Sequence, residues 1–568
     1  MQFLAALLAL ATLTACESHE PGLTGGGGSG GAGGDGAGGG GAGPTSAYDP
    51  AHVLDVQITL SDQDWASLRF QGNDPLALLG GQCLAGPKQT DFTYFNAAVA
   101  IDGTTFPDVA VRKKGFLGSL SVSKPSFKIK LDEYMAGARY LDTDKLTLNN
   151  LKQDAALVRT CLAFELFARA GVPASRCTFA HVTVNGEDLG IYANVEAVGK
   201  SMLGRTFSDD SGNLYEGQLS DVREEWVDTY EKKSNEDDPD RSDIEGLRDA
   251  LLAEDATLLD EVGERLDIEA FLTFWAMESL LGAWDGYTNN QNNHFIYHDP
   301  SSGKLHFLPW SPDMSFVTED PFSAPDRPQS VSAAGALPNR LYALGSMRDR
   351  YRERVLELND AVMNPADVAS EIESMAALLS PYVDDAGLFE SSLDEVRQFA
   401  AERQAMIAAE LADGPAVWPY PLKEDPCVVE IGTVSGSFTT TAGSGVEESP
   451  FDTGDGTLHI EIGGAVEDAF VVGAASSMGD TTSMLQIIAI MPDGSVRGVI
   501  IFIDDMLFDA NVLPFDWQQA FGVYGAIDTE TEEFTLIGIL NGPSITLTTA
   551  ALSDGSPVEG TFQASLMQ

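Results

Sequence analysis

The side chains best suited to chemistry lie in one short stretch near the middle of the chain. Asp285 occupies a loop after an apolar helix, Asn292 and Asn293 follow it, and Asp313 closes the stretch. Two short predicted strands separate the asparagine pair from Asp313, and a turn at 299–303 joins them. Because a hairpin returns the chain to its starting end, the asparagine pair is expected beside Asp313, with Asp285 in the same small volume.

These residue types suit phosphoryl transfer that depends on a divalent metal. A carboxylate can orient and deprotonate a hydroxyl, while an amide oxygen and a second carboxylate can ligate Mg²⁺. Protein kinases use the same order of parts, in which a catalytic Asp and then an Asn precede a strand pair and a metal-binding Asp. The competing interpretation is that these Asp and Asn side chains only cap helices and turns, which both residue types do well.

The sequence pattern around this stretch predicts a domain of helices and strands, an α+β region, from residue 48 to residue 412. Alternating apolar residues indicate strands, and the Asn185-Gly186 turn predicts a hairpin. Asp154 is predicted to cap a helix that ends before Gly171. The predicted strands are 53–58, 94–101, 109–113, 126–131, 180–184, 189–195, 295–298 and 304–308, and the predicted helices are 61–68, 154–170 and 268–281, with further helical patterns from 339 to 411.

A change in composition marks the C-terminal part of the chain. The Pro-rich residues 413–427 predict a linker between two domains. Beyond it, residues 428–568 contain short β-branched runs among many Gly, Thr and Asp residues, and no long helical pattern. This composition predicts a separate antiparallel β domain, either a sandwich or a barrel.

The N-terminus indicates export and lipid anchoring, with residues 1–16 as a lipoprotein signal peptide. Residues 1–15 are almost wholly apolar and too short to span a bilayer as a helix. Residues 13–16 resemble a bacterial lipobox, in which Cys16 is lipidated and becomes the mature N-terminus, although no basic residue precedes the apolar run. The Gly-rich residues 17–47 would then form a flexible tether. The alternative is an ordinary secretory peptide in which Cys16 occurs by chance.

The charge balance limits the partners of the protein. The chain carries 86 Asp and Glu residues against 33 Lys and Arg, a formal net charge of −53. Such a chain repels phosphate backbones and anionic lipid surfaces, which argues against nucleic-acid binding and polybasic membrane binding. Attachment to a bacterial membrane or cell surface would therefore depend on the lipid alone.

The remaining cysteines suggest two disulfides. If Cys16 carries lipid, four cysteines are left, and an even number in an exported chain permits pairing. Cys161 and Cys177 are the predicted pair, since they lie on a predicted helix and at the start of the strand after it. Cys83 and Cys427 would form the other bridge.

A family resemblance covers roughly residues 48–410. Its motifs are Val111-Arg112-Lys113-Lys114-Gly115, Lys124-Pro125-Ser126-Phe127-Lys128-Ile129-Lys130, Leu146-Thr147-Leu148-Asn149-Asn150 with Asp154, Ala170-Gly171-Val172-Pro173-Ala174, Val184-Asn185-Gly186, Leu189-Gly190-Ile191-Tyr192, Val195-Glu196, Gly212-Asn213-Leu214-Tyr215, Trp284-Asp285-Gly286-Tyr287, Asn292-Asn293 and Pro309-Trp310 through Asp313. In these motifs the chain resembles the CotH family, the spore-coat-protein-H-like atypical protein kinases.

The resemblance implies a kinase-like, two-lobed domain that transfers phosphate from ATP to hydroxyls of surface or coat proteins, with Mg²⁺ or Mn²⁺. By position, Asp285 would be the catalytic Asp and Asp313 the metal Asp, with Asn292 or Asn293 as a further metal ligand. The residues implied on the nucleotide side are Arg112, Lys114, Lys128 and Glu165.

Two of these assignments, those of Lys128 and Glu165, have alternatives. Lys128 is preferred for phosphate binding because it lies on an alternating strand, and Lys130 on the same face is the rival. Glu165 would pair with Lys128, since it is an isolated acid inside an apolar helix. The alternative for Glu165 is an ordinary surface pair with Arg169, four residues later.

Two departures from the family pattern bear on activity. Ser311 stands where many members have Asp, so one metal ligand is expected to be missing, and Ala283 stands where related sequences often have His. The alternative function is therefore a non-catalytic surface scaffold that binds proteins or glycans and uses its β domain for attachment.

Overall fold

The protein is described from a computed structural model. It covers residues 44–568 except 89–91, 117–119, 319–326, 445–448, 479–481, 509–511, 517–518, 530, 532 and 552. Cys16, the predicted signal peptide and the Gly-rich residues through 43 lie outside the described residues. Ala47, at the end of the predicted tether, is buried and its N–H donates to Asp142 Oδ1 at 2.9 Å. Among the described residues, no helix has the length and apolar character needed to cross a bilayer.

A closed β-barrel forms the N-terminal lobe, with β1 and β6 pairing in parallel to complete it. Alternation along the strands fills the barrel with apolar side chains, so that Phe127 and Ile129 are buried while Lys128 and Lys130 lie on the outer face. The strands of the barrel are β1 (Val53–Thr59), β2 (Phe95–Ile101), β3 (Thr104–Lys114), β4 (Ser126–Lys130), β5 (Lys145–Asn149), β6 (Cys177–Val184) and β7 (Glu187–Val195).

Three helices accompany the barrel strands: α1 (Asp62–Arg69), α2 (Pro75–Leu79) and α3 (Arg159–Arg169). Helix α3 begins later than predicted, because Leu157 has a positive φ of 60° and breaks the helical path after Asp154. Asp154 still binds the first residue of the helix, since its Oδ2 accepts a hydrogen bond from the Arg159 N–H at 2.9 Å.

A helical lobe follows, built around the predicted apolar helix at 268–281. That helix is buried on nearly every side, starts at the cap residue Asp267 and ends at Gly282, whose φ is 61°. The helices are α4 (Lys200–Thr206), α5 (Ser242–Ala250), α6 (Leu258–Arg265), α7 (Ile268–Leu281), α8 (Tyr287–Asn290), α9 (Ala336–Tyr342), α10 (Gly345–Ala361), α11 (Pro365–Leu379) and α12 (Ala386–Glu410). A small sheet of order β11-β10-β8-β9 packs with them, comprising β8 (Leu214–Gly217), β9 (Glu231–Lys232), β10 (His294–Asp299) and β11 (Lys304–Pro309).

The C-terminal part is one antiparallel sheet with its own apolar core, as its composition predicted. It also docks on the barrel lobe, because Leu79 of α2 shares an apolar cluster with Ile539 and Met567 of the sheet. The sheet contains β12 (Glu430–Thr441), β13 (Asp455–Ile462), β14 (Ala465–Asp468), β15 (Val471–Ser477), β16 (Thr482–Ile490), β17 (Val496–Asp504), β18 (Val512–Leu513), β19 (Ala520–Ile527), β20 (Phe534–Thr549) and β21 (Pro557–Met567), with the short helix α13 (Pro450–Thr453).

Both predicted disulfides are present. Cys161 on α3 and Cys177 at the start of β6 have Cα atoms 5.1 Å apart, and Cys83 and Cys427 have Cα atoms 5.5 Å apart. Because Cys427 directly precedes the C-terminal sheet, the second bridge ties the start of that sheet to the barrel lobe.

Candidate active site

The β10–β11 hairpin brings the two ends of the chemical stretch together. His294 pairs with Pro309, and the Trp310 N–H donates to the Asn293 carbonyl at 3.1 Å. The expected return of the chain is therefore confirmed, and it places the asparagine pair beside the segment that leads into Asp313.

Asp285 is held by side-chain amides of the same loop. Its Oδ2 accepts from Asn293 Nδ2 at 2.7 Å, and its Oδ1 accepts from Asn292 Nδ2 at 3.2 Å and from Asn290 Nδ2. Burial raises the pKa of Asp285 to about 6; the bonds from Asn290 and Asn292 oppose that rise, while the charge of Asp313 adds to it. A carboxylate with its proton affinity near neutrality, fixed in one orientation, has the properties of a general base.

Glu278, in the last turn of α7, fixes the backbone of this loop. Its two carboxylate oxygens accept the N–H groups of Tyr287 and Thr288 at 2.9 and 2.8 Å. The side chain is only 4% exposed, and burial raises its pKa to about 7. Sequence reasoning missed this residue, although an acid in the last turn of an otherwise apolar helix was the available signal.

We expect Gly286→Ala to damage the loop, because a Cβ at Gly286 would collide with the Glu278 carboxylate. Displacing that carboxylate removes its two backbone bonds and shifts Asp285. An activity loss of about 100-fold is expected, since small misplacements at a reacting centre cost rates of that order. Phosphoryl transfer and thermal unfolding should be measured together. Gly199→Ala is the control, because a Cβ there meets nothing within 4 Å; an unchanged activity of Gly286→Ala would contradict the prediction.

A cleft lies between the barrel and the helical lobe. Lys114 and Asp313 line it from opposite lobes, and the Lys114 ammonium donates to Asn149 Oδ1 and lies 5.6 Å from the centre of the Trp310 ring. Burial and the charge of Lys128 lower the pKa of Lys114 to about 7, against the charge of Asp313. Burial raises the pKa of Asp313, against a hydrogen bond from Ser311.

Ser311 joins this cleft to a second cavity, because it lines both. Asp285 and Asn293 line the second cavity. Ser311 has a φ of 42°, a left-handed conformation that is uncommon for serine. Ser311 thus separates the cavity that Asp285 lines from the cleft that Asp313 lines.

The structure distinguishes the two asparagines. The Asn292 amide is engaged at both ends, since Nδ2 donates to Asp285 and Oδ1 accepts the Leu219 N–H at 3.3 Å. Asn293 lines the cavity together with Asp285. Neither asparagine lines the cleft that contains Asp313 and Asp154, so the predicted grouping of an asparagine with Asp313 around one metal is not seen in the described residues.

Arg112 and Lys128 form a cross-strand pair on the outer face of β3 and β4, next to Lys114. Burial lowers the pKa of Lys128 to about 8, and the Glu216 carboxylate opposes that shift. Glu216 lies on β8, and its side chain is mostly buried. The charges of Glu216 and of Glu231 on β9 thus both act on Lys128.

Glu165 is not placed as predicted. Its side chain is 52% exposed on α3 and lies 3.7 Å from Arg169, which is the alternative surface pair. Helical periodicity alone did not show that this acid faces away from the barrel. The Lys130 ammonium pairs with Glu133 at 2.9 Å, on the exposed end of β4.

Asp154 was predicted as a helix cap and belongs to one of the family motifs, but sequence reasoning assigned it no role in the site. Asp154 is 1% exposed and lines the same cleft as Asp313. Burial raises the pKa of Asp154 to about 6, and the nearby charge of Asp313 adds to that rise. The Asp154 Oδ1 has no hydrogen-bond partner among the described residues, although the Arg159 Nε lies 3.5 Å away. An orphaned carboxylate oxygen beside a second carboxylate fits a divalent cation, which prefers oxygen ligands.

Comparison with known families identifies the domain that contains these residues. The family model described as CotH kinase protein matches residues 111–407, more than half of the chain. The chain belongs to the CotH family. The CotH match begins in β3 and ends in α12, so it contains Lys114, Asp285 and Asp313 and excludes the C-terminal sheet.

The CotH relatives are distant. The inner spore coat protein H of Bacillus subtilis (strain 168) is 23% identical over 183 residues, which are 30% of this chain and 50% of the relative. The invasin CotH2 of Rhizopus delemar is 22% identical over 267 residues, 41% of this chain and 44% of the relative. The chain thus spans about half the length of these curated relatives. A solved structure, the Helicobacter pylori proinflammatory kinase CtkA, aligns at 10% identity and a TM-score of 0.27 over 53% of this chain and 95% of that chain, a likeness too low to define the fold.

Proposed function

We propose that this CotH protein is a phosphotransferase that moves the γ-phosphoryl group of ATP to hydroxyl side chains of surface proteins. The observation that carries the proposal is the convergence of Asp285 and Asp313 on either side of Ser311, with Lys114 facing Asp313 across the cleft. In this proposal Asp285 orients the acceptor hydroxyl and takes its proton, and Lys114 contacts the phosphates.

Mg²⁺ or Mn²⁺ would be held by Asp313 and Asp154, which line the same cleft. Such an ion supplies positive charge that offsets the charge of the phosphates during transfer. Two carboxylates are a modest ligand set, because Ser311 provides only a hydroxyl where many members have a carboxylate. We therefore expect weak metal binding without nucleotide and stronger binding with ATP, whose phosphate oxygens complete the coordination.

The test is incubation of the purified protein with γ-labelled ATP and either MgCl₂ or MnCl₂, with EDTA as the control. Label on the protein itself or on an added acceptor protein supports transfer. ATP with metal should also raise the free energy of unfolding, by about 2.7 kcal/mol at 100 times its dissociation constant. Neither label nor stabilisation would refute the proposal.

The second candidate is a non-catalytic surface scaffold, and one observation favours it. The β14–β15 corner of the C-terminal sheet exposes apolar side chains at Val466, Phe470 and Val471. Exposed apolar groups gathered at one corner are typical of a binding surface. A protein that binds its surface partner normally but shows no response to ATP would support this function instead.

We further propose that the protein is exported and lipid-anchored through Cys16. The two disulfides suit an oxidising environment, and the names of the relatives, a spore coat protein and an invasin, are consistent with a surface location. Cys16→Ser is expected to move the protein from the membrane fraction to the soluble fraction and to abolish incorporation of labelled fatty acid. Ser18→Ala, two residues further on, is the control. A Cys16→Ser protein that stays with the membrane would contradict lipid anchoring.

A further inference from the structure

The C-terminal sheet contributes a charged side chain to the edge of the nucleotide cleft. Asp504 ends β17, is 7% exposed, and its Oδ2 lies 3.3 Å from the Lys152 ammonium. Lys152 lines the cleft together with Lys114 and Asp313. Since the CotH match ends at residue 407, Asp504 lies outside the part of the chain that the family accounts for.

The same carboxylate also anchors the segment that leads into β4. Ser123 Oγ donates to Asp504 Oδ2 at 3.0 Å, and neighbouring Val122 is fully buried within the core of the C-terminal sheet. Arg69 of α1 donates to the Val122 and Ser123 carbonyls at 2.9 and 3.2 Å. The C-terminal sheet therefore contacts two parts of the barrel lobe: the segment that precedes β4, and Lys152.

The positive charge of Lys152 could offset the negative charge of a nucleotide bound in the cleft. A triphosphate brings several negative charges into a cleft that already contains Asp313 and Asp154, on a chain whose net charge is −53. An ammonium group has three N–H donors, and among the described residues the Lys152 ammonium donates one hydrogen bond, to Asp504. Its side chain is 20% exposed, so solvent and ligands reach it.

We propose that Lys152 contacts the phosphates of the nucleotide and that Asp504 positions it, which makes the C-terminal sheet a part of the nucleotide site. This inference rests on the proposed function. Lys152 is then a binding residue, and Asp504 is a positioning residue that acts through it. The β domain, on this proposal, supports nucleotide binding in addition to any attachment role.

The test compares ATP with adenosine, which lacks the phosphates, in equilibrium binding to the full chain. Lys152→Gln is expected to weaken ATP binding about 10- to 100-fold, the range for one charge-assisted hydrogen bond, and to leave adenosine binding unchanged. Asp504→Asn is expected to weaken ATP binding about 3- to 10-fold. The matched control is Asp493→Asn, which removes the same charge from an exposed turn of the same sheet.

Exchanging the charges of Lys152 and Asp504 tests whether Lys152 contacts phosphate or only forms a structural ion pair. The double variant Lys152→Asp with Asp504→Lys keeps an ion pair between the sheet and the barrel lobe, so its thermal stability should approach that of the wild type. Its ATP affinity should stay at least about 10-fold weaker, because a carboxylate now lines the cleft. Recovery of wild-type ATP affinity in this variant would overturn the proposal.

Two further outcomes are decisive. If Lys152→Gln binds ATP as tightly as the wild type does, Lys152 makes no phosphate contact and the inference is wrong while the proposed function stands. If the wild type binds neither ATP nor adenosine, the proposed function and the inference both fail.

Discussion

Asp285→Ala and Asp313→Ala are expected to separate phosphoryl transfer from nucleotide binding. Asp285 lines the cavity on one side of Ser311 and is surrounded by amide donors, so its loss removes the base and leaves the cleft wall in place. Transfer should fall by about 10³-fold, within the range for loss of general base catalysis, while ATP binding changes by a few fold at most.

Asp313→Ala acts on the other side of Ser311. Asp313 lines the cleft with Lys114 and Asp154 and provides the carboxylate proposed to hold the metal. Without it, Asp154 is left as the acidic ligand of the cleft, and metal-dependent ATP binding should fall below detection. The readouts are γ-phosphate incorporation and the shift in melting temperature that ATP produces with Mg²⁺.

Asp349→Ala is the control for both variants, because Asp349 is exposed on α10. Wild-type transfer rates in both Asp285→Ala and Asp313→Ala would refute the kinase mechanism. Loss of ATP binding in Asp285→Ala alone would show that the roles of the two carboxylates are assigned the wrong way round.

Removal of the Cys83–Cys427 bridge is expected to have the largest effect on stability. The bridge closes a loop with a sequence separation of 344, and the entropy that such a loop removes from the unfolded chain corresponds to about 6 kcal/mol. The Cys161–Cys177 bridge has a separation of 16, for which the same relation gives about 3 kcal/mol.

The comparison uses two double variants, Cys83→Ala with Cys427→Ala and Cys161→Ala with Cys177→Ala. Chemical denaturation of each, against the oxidised wild type, should show the larger loss of unfolding free energy for the first pair. The second pair is the matched control, since it removes the same number of sulfurs. An equal or larger loss for the second pair would contradict the loop-length argument.

Local sequence patterns predicted the parts of the site that depend on local geometry. The apolar helix at 268–281 and the turn at 299–303 determine where the 294–309 hairpin returns, so the meeting of Asp285 with Asn293 followed from the chain alone. The bridge between Cys161 and Cys177 followed in the same way from a helix and the next strand.

The sequence could not show the surroundings of some residues, for two physical reasons. Glu165 was assigned from composition, but only the packing of α3 shows which of its faces is exposed. Asp154 was predicted as a helix cap and as part of a family motif, and neither pattern shows that a cleft lies beside it. The Ser123–Asp504 contact joins residues 381 positions apart, and a pairing so distant leaves no periodic pattern in the sequence.

The Cys83–Cys427 bridge also determines what a protease can do to this molecule. A cut at the exposed residues 235–240 falls inside the covalent loop, so the two fragments stay joined. A nicked molecule would migrate as one species on a non-reducing gel and as two after reduction. Backbone cleavage in the helical lobe therefore cannot release the C-terminal sheet, and shedding of that sheet requires a cut beyond Cys427 or reduction of the bridge.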